Sequence, residues 1–495
     1  MGLKIPVSLV RFRLEALSNT RFFMHHQFNP VILRKYDVRG IYGSQMDEKD
    51  AYFFGLTYAI YCKNHQDSKF KTKIVVGRDG RVSSLSLQKE LIKGITDAGI
   101  DVINIGLVSS PMVNFAMEYF GCLACVQITA SHNPKEYNGF KFDFKNRPFF
   151  DEKIQELQAI ANDCDVVADN GKGKVENINI DEAYLNYIIE NIEIDKKIKV
   201  CFDCGNGATG EIVRKLIEKM KLYYPKVDAD AIFTDIDGNF PNHHPDPTVL
   251  KNMQTLSKKV VEEGYDIGIG FDGDGDRIGI IDNEGELLYG DQELLIFARD
   301  ILTRQPKAKF VAEVKASKIL YDGIKQAGGE AIMCKTGNTY IRAKMDECGA
   351  LLGGETSGHI FFADIFNGVD DGVYAGLRML EILAKSDKKM SDFRKEIPTT
   401  FSTHDLKFTI DESDKFAIID RVVDFLKKDK KEFCDIDGVR IDNKNGWWMV
   451  RASNTSNVLT GRCESDTKEG LEELKKEFSH YLSIAGYADK INFDD

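Results

Sequence analysis

Lys199-Val200-Cys201-Phe202-Asp203-Cys204-Gly205-Asn206-Gly207-Ala208-Thr209-Gly210 reads as a buried strand that stops at a glycine-rich polar turn. A helix pattern follows from Glu211, then a second strand over Ala231–Phe233. Strand, polar turn, amphipathic helix and strand make a βαβ unit with a parallel pair. The same order occurs earlier. Lys73–Val76 leads through Gly77-Arg78-Asp79-Gly80-Arg81 and a helix over Leu85–Ala98 to Val102–Ile105. It occurs later as well, from Phe310–Val314 through Lys315-Ala316-Ser317 and a helix ending near Lys325 to Ala331–Met333. More than a hundred residues separate successive copies, too many for a solenoid. Three consecutive α/β domains account for the pattern.

The last hundred residues follow another order. Strand-like Leu406–Ile410 precedes a charged helix over Phe416–Lys428, and Val439–Ile441 and Trp447–Val450 flank an Asn445-Gly446 turn. A helix over Leu471–Ile484 closes the segment. This predicts a smaller α+β domain, with both tryptophans in its core. At 495 residues the chain is too long for one core, in keeping with several domains. The first 30 residues carry Lys4, Arg11, Arg13 and Arg21 among apolar residues and read as an extension outside the fold. A disordered segment, a start at Met24 and an organelle transit peptide all fit it.

A net charge of -12 argues against bulk binding to nucleic acid or an anionic membrane, and no apolar run is long enough to span a bilayer. Ten cysteines lack the spacing of a disulfide framework, which suits the reducing cytoplasm. Cys122/Cys125 and Cys201/Cys204 are CxxC pairs in strand-like segments, where alternation places residues three apart on opposite faces. Neither pair is then expected to grip a metal.

Four loops carry chemistry. Leu123–Ile128 reads as a strand ending at Thr129-Ala130-Ser131-His132-Asn133-Pro134, with a hydroxyl and an imidazole side by side at its tip. Asp272-Gly273-Asp274-Gly275-Asp276-Arg277 sits in a tight turn between Ile267–Phe271 and Ile278–Ile281. Three carboxylates two apart repel unless a cation neutralises them, and an all-oxygen set points to a hard ion such as Mg2+. An EF-hand would need glycine and glutamate where Arg277 and Asn283 stand. Gly353-Gly354-Glu355-Thr356-Ser357-Gly358-His359 offers hydroxyl-reading groups, and Arg451-Ala452-Ser453-Asn454-Thr455-Ser456-Asn457 suits a phosphate. Gly205–Gly210 is also a literal GxGxxG, with Asp235 placed to contact a ribose. That keeps a dinucleotide-dependent oxidoreductase open beside a close-packing glycine turn.

Together the four loops resemble the α-D-phosphohexomutase superfamily, in its phosphomannomutase/phosphoglucomutase branch, from about Arg34 to the C-terminus. The resemblance implies three related α/β domains with mixed sheets and a TATA-binding-protein-like α+β domain around a central cleft. It divides the chain into residues 31–178 with the phosphoserine loop, 179–288 with the metal loop, 289–399 with the sugar loop and 400–495 with the phosphate loop. It implies an exchange of hexose 1-phosphate and hexose 6-phosphate, mannose or glucose, through phosphorylated Ser131 and a hexose 1,6-bisphosphate that also serves as activator. Catalytic roles fall on Ser131, Arg34, His132, Lys141 and Arg277, and Mg2+ on Ser131, Asp272, Asp274 and Asp276. Substrate contacts fall on Lys315, Lys335, Glu355, Ser357, His359, Arg451, Ser453, Asn454 and Thr455. The implied partners are small sugar phosphates alone, for a monomer or dimer. Phosphoglucosamine mutase, whose last loop reads differently, is the nearest alternative, and a catalytically dead sugar-phosphate binder is a further one.

Two positions depart from the family. Asn338 follows Lys335-Thr336-Gly337 where the family has histidine, and an amide cannot shuttle protons near neutral pH. Ser456-Asn457 replace Glu-Pro after Thr455, which predicts a looser phosphate loop. Substrate titration of Asn457→Pro tests this, with a lower apparent KM expected and an unchanged one refuting it.

Overall fold

The computed structural model describes residues 21–162, 164–167, 172–411, 414–453, 458–487 and 491–493. Each of the three βαβ units forms the centre of a mixed sheet with one shared topology. In the first, Lys71–Arg78 pairs in parallel with Asp101–Leu107 and Cys122–Ile128, and Tyr137–Phe144 then joins antiparallel to Cys122–Ile128. In the second, Ile198–Asp203 lies between Val227–Ile232 and Ile267–Phe271, and Ile278–Asp282 adds antiparallel. In the third, Lys309–Glu313 lies between Glu330–Cys334 and Leu352–Gly354, with Ile360–Phe362 antiparallel. The order is therefore second, first, third, fourth in every copy. The third and fourth strands form a hairpin, and its tip carries Ser131, Asp272–Asp276 or Glu355–Gly358 in turn.

The middle strands Cys122–Ile128, Ile198–Asp203, Ile267–Phe271 and Lys309–Glu313 are buried along most of their length, as strands covered on both faces must be, whereas Val227–Ile232 and Glu330–Cys334 are largely part-exposed. One apolar cluster runs through all three units, from Val75 and Phe115 through Phe202 to Phe310 and Tyr374. It holds the three sheets as one block. The fourth domain is an antiparallel sheet in which Val458–Ser465 pairs with Phe401–Ser402, Leu406–Thr409 and Gly446–Ala452, and Val439–Asn443 closes the far edge. Trp448 sits in that domain's core, whereas Trp447 packs with Val314 and Met449 against the third domain. Both tryptophans are core residues, as expected.

Two expectations need correction. Residues 1–30 were expected to lie outside the fold, yet Arg21–Met24 pairs antiparallel with Cys164–Val167. His26 stacks on Phe53 with ring centroids 4.3 Å apart, and buried Phe28 stacks on Phe54 at 3.9 Å. Burying such rings stabilises the first domain by about 1.5–3 kcal/mol each, so the fold begins before residue 30. Strand alternation was also expected to separate Cys122 from Cys125, but both join one apolar cluster. The register shifts between the Lys71–Cys122 and Ile74–Ala124 pairs, which breaks the alternation there. Cys201 and Cys204 do fall in different clusters. Burial raises all four thiols, Cys122 to about 11 and Cys201 to about 12. Among the described residues, no metal-binding group contains a cysteine. Nor is any described helix long and apolar enough to cross a membrane.

The second and third domains also meet at a buried carboxyl. Asp371 caps the Gly372–Ala384 helix by accepting from Tyr374 N, and Tyr184 OH donates to it at 2.8 Å. Burial pushes Asp371 up to about 7. The folded chain thus keeps a proton that the unfolded chain releases near pH 4, so this contribution is full below about pH 4 and is lost as pH rises through 7. Asn can cap the helix without that cost. Asp371→Asn is expected to flatten the fall in Tm between pH 5 and pH 8 and to raise Tm at pH 8, as differential scanning fluorimetry across that range would measure.

Candidate active site

Ser131 stands at the tip of the first hairpin in the left-handed region, with φ 51°, a costly conformation for a residue with a Cβ. Its surroundings enforce it. Thr129 Oγ1 accepts from Ser131 N at 2.8 Å, and buried Arg81 gathers the loop from beneath. The Arg81 guanidinium donates to the carbonyls of Ser131 at 2.7 Å, Asn133 at 2.6 Å, Pro134 at 2.8 Å and Tyr137 at 3.0 Å. Asp79 neutralises it at 3.2 Å. Arg39 secures the same loop through Asn133 Oδ1 at 2.6 Å.

The hydroxyl points at the second hairpin. Ser131 Oγ donates to Asp272 Oδ2 at 2.6 Å and lies 3.2 Å from His132 Nδ1. Burial first, then Arg277 and Arg39, hold the His132 imidazole well below its ordinary pKa. It is therefore a neutral hydrogen-bond partner of the hydroxyl in this arrangement and not a store of protons.

Asp272, Asp274 and Asp276 are all buried, with ligand oxygens close enough together to share one ion. Burial and the neighbouring carboxylates push Asp272 well above the usual carboxylate range and raise Asp276. Burial opposes ionisation of Asp274 too, but Lys141 outweighs it and holds Asp274 low. Lys141 Nζ donates to Asp274 Oδ2 at 2.7 Å and also to Asp276, and Ser110 Oγ donates to Asp274 Oδ2 at 2.5 Å. Among the described residues, Asp274 Oδ1 and Asp276 Oδ1 are buried without a hydrogen-bond partner, although His359 Nδ1 lies 3.6 Å from the latter. An all-oxygen set with two unsatisfied buried acceptors fits a hard divalent cation.

The third hairpin approaches from the opposite side. Its backbone is tied to the metal loop by an Arg277–His359 bridge and by Ile278 N donating to Gly358 O at 3.0 Å. Arg277 Nε donates to His359 Nε2 at 3.0 Å, which leaves Nδ1 to carry the ring proton toward Asp370 at 2.7 Å. Buried Glu355 accepts from Gly337 N at 2.6 Å, and Ser357 Oγ donates to its other oxygen at 3.4 Å. Asn338 lies 3.5 Å from Asp370 and spends its own oxygen on Thr339 N, so in this chain it shapes the turn.

These groups share one cavity of about 560 Å³, lined by Arg34, Ser131, His132, Lys141, Arg277, Lys315, Glu355, Ser357 and His359. Asp272 and Asp274 lie behind its wall, and Lys335 is exposed, with its ammonium over the Tyr340 ring at 5.7 Å. Arg451 and Ser453 are buried in the fourth domain, and Asn454 and Thr455 lie outside the described residues. The sequence reading missed Arg39, Arg81 and Asp370. The recurring charged turn at Arg78–Arg81 was visible, but not that it would lie under the Ser131 loop.

The GxGxxG turn is used internally. Gly205 N is taken by Asp203 Oδ1, Asn206 N by Phe233 O and Ala208 N by Gly273 O. A Cβ on Gly210 would come within 2.1 Å of Thr234 O. The turn packs its helix and braces the metal loop, which leaves no N–H cradle for a pyrophosphate.

Comparison with known proteins agrees over most of the chain. Models of phosphoglucomutase/phosphomannomutase alpha/beta/alpha domains I, II and III match residues 30–166, 182–285 and 289–401, and the C-terminal domain model matches 406–480. A phosphomannomutase/phosphoglucomutase of Pseudomonas putida is 39% identical over 91% of this chain and 95% of its own length. A phosphoglucomutase of Neisseria meningitidis is 39% identical over 90% of the chain and 95% of its own. The crystal structure of a phosphoglucomutase/phosphomannomutase family protein from Burkholderia thailandensis superimposes with a TM-score of 0.86 at 32% identity, covering 94% of this chain and all of that one.

The Ser131 loop and the Asp272–Asp276 loop are in backbone contact, since a Cβ on Gly273 would lie 2.5 Å from Ser131 O. Gly273→Ala is expected to force them apart and to lower kcat by about 100-fold, the scale of a 1 Å misplacement, with a Tm near wild type. Steady-state turnover beside a melting curve checks it.

Proposed function

The chain belongs to the phosphoglucomutase/phosphomannomutase family, and from that premise we propose that it interconverts hexose 1-phosphates and hexose 6-phosphates of glucose and mannose. The observation that carries this reading is the 2.6 Å contact from Ser131 Oγ to Asp272, in the cavity that Glu355 and Ser357 face. It supports Ser131 as the phosphoryl carrier.

The proposed cycle balances around that oxygen. A free sugar hydroxyl attacks the phosphorus of phosphoserine, the P–Oγ bond breaks, and the hydroxyl proton passes by way of a base in the cavity to the departing Ser131 Oγ. The resulting hexose 1,6-bisphosphate turns over in place and returns its other phosphoryl group to Ser131. Lys141 and Arg277 offset the developing negative charge from positions fixed by the aspartates and His359. Arg34 adds positive charge from the cavity wall. Glu355 and Ser357 would read two neighbouring sugar hydroxyls and leave C2 unread, so both epimers are accepted. Lys315 and Arg451 with Ser453, Asn454 and Thr455 would hold the phosphate that is not reacting, Lys335 would guide it in, and His359, engaged by Arg277 and Asp370, would keep Arg277 in place.

Asp272, Asp274, Asp276 and the Ser131 oxygen would hold Mg2+, which when bound supplies Lewis-acid polarisation of the transferring phosphoryl group. Hexose 1,6-bisphosphate would prime the enzyme. The cysteine usage supports a cytoplasmic setting, and the acidic net charge supports small sugar phosphates as its ligands, for a monomer or dimer.

Phosphorus NMR of protein with magnesium, glucose 1-phosphate and a trace of glucose 1,6-bisphosphate should show a growing 6-phosphate signal. Ser131→Ala and chelation of the metal should each abolish it. Conversion of glucosamine phosphates in preference to glucose phosphates would overturn the substrate assignment.

A further inference from the structure

Resting on the phosphohexomutase reading, we propose that Asp437 is a positioning residue that couples phosphate recognition in the fourth domain to hydroxyl recognition in the third. Asp437 Oδ2 accepts two hydrogen bonds from different domains, one from Arg451 Nε at 2.9 Å and one from Thr336 N at 3.1 Å. The first bond fixes the guanidinium through its Nε. Arg451 Nη2 is buried and has no partner among the described residues, so it is a donor held ready for an anion.

The second bond fixes the turn on which Glu355 depends. Gly337 N, one residue after the amide that Asp437 holds, donates to Glu355 Oε1 at 2.6 Å. Thr336 O accepts from Tyr36 OH at 2.9 Å, which pins the same peptide segment to the first domain. Gly337 has φ 129°, and a Cβ there would meet the Tyr36 ring at 2.8 Å, so the turn has little room to relax. A movement of Asp437 therefore reaches both Arg451 and Glu355.

Asp437 is itself firmly placed. Gly438 follows it at φ 80°, where a Cβ would lie 2.7 Å from Arg451 Cα. Two residues further on, Arg440 donates to Val314 O at 2.6 Å and Ala316 O at 2.8 Å, which anchors this part of the fourth domain to the third. Phosphate that pulls on Arg451 would thereby tighten the Thr336–Gly337 turn and the carboxylate that reads the sugar.

The test uses full-length Asp437→Ala and Asp437→Asn, each first checked for a wild-type melting curve. Asp437→Ala should raise KM for glucose 1-phosphate about tenfold and weaken competitive inhibition by inorganic phosphate by a similar factor. Hydrolysis of the phosphoserine enzyme by water, followed by intact mass, should not change. Asp437→Asn retains an oxygen that can accept both N–H groups and should recover most of the loss. In a cycle with Glu355→Gln, the two losses in kcat/KM should combine to less than their product. Unchanged KM and phosphate inhibition, or multiplicative losses, would overturn the coupling. If the wild-type protein turned over no hexose phosphate, the functional reading would fall. Calorimetric binding of inorganic phosphate to wild type and Asp437→Ala would still decide whether Asp437 sets the anion site, with equal affinities refuting it.

Discussion

Three buried carboxylates within reach of one another set the terms for this molecule. Asp272, Asp274 and Asp276 cannot all ionise in a dry interior unless positive charge is brought to them. That charge depends on elements outside their own hairpin. Lys141 reaches across from the first domain, and Arg277 is braced by His359 of the third. The acidic loop is stable only where three domains converge, so the electrostatic need and the assembly of the cleft are one requirement. Two carboxylate oxygens, Asp274 Oδ1 and Asp276 Oδ1, are left without a hydrogen-bond partner among the described residues.

The repeated topology explains how three domains deliver their chemistry to one place. Each unit ends its third strand at the same edge and turns into an antiparallel fourth strand, so each offers the same hairpin tip. One copy of that tip carries Ser131, one the acidic cluster and one Glu355. Glycines permit the contact between tips. Gly273 meets Ser131 O, and Gly358, at φ 85°, lies against Ile278 O. The fourth domain, built on a different sheet, reaches the cavity indirectly through Asp437 and the Thr336 turn.

Much of this was legible in the chain. The βαβ order at Lys199 and its two echoes marked three domains, because apolar runs broken by polar turns have few other folded solutions. DGDGDR announced, through repulsion alone, an acidic cluster that could hold a cation. Ser131 could be singled out by its place after a strand, as could Glu355. The antiparallel strands Tyr137–Phe144 and Val458–Ser465 were not recognised. The first interleaves charge and glycine with its aromatics, and the second mixes polar residues into its buried positions. The register irregularity opposite Cys122 also escaped notice, since alternation is read from one strand and a shift needs two.

The sequence by itself determined the kind of fold and the loops where polar chemistry gathers, the acidic cluster among them, because these depend on local periodicity and on residues near one another along the chain. Only the tertiary structure decided that the three hairpins are equivalent and that Arg81 lies beneath Ser131. It alone decided that the GxGxxG turn braces a neighbouring loop and that His132 is held neutral. Those outcomes depend on burial and on partners many residues away, such as Ser131 and Asp272, which are 141 residues apart. No local pattern encodes a partner's distance or the water excluded when it arrives.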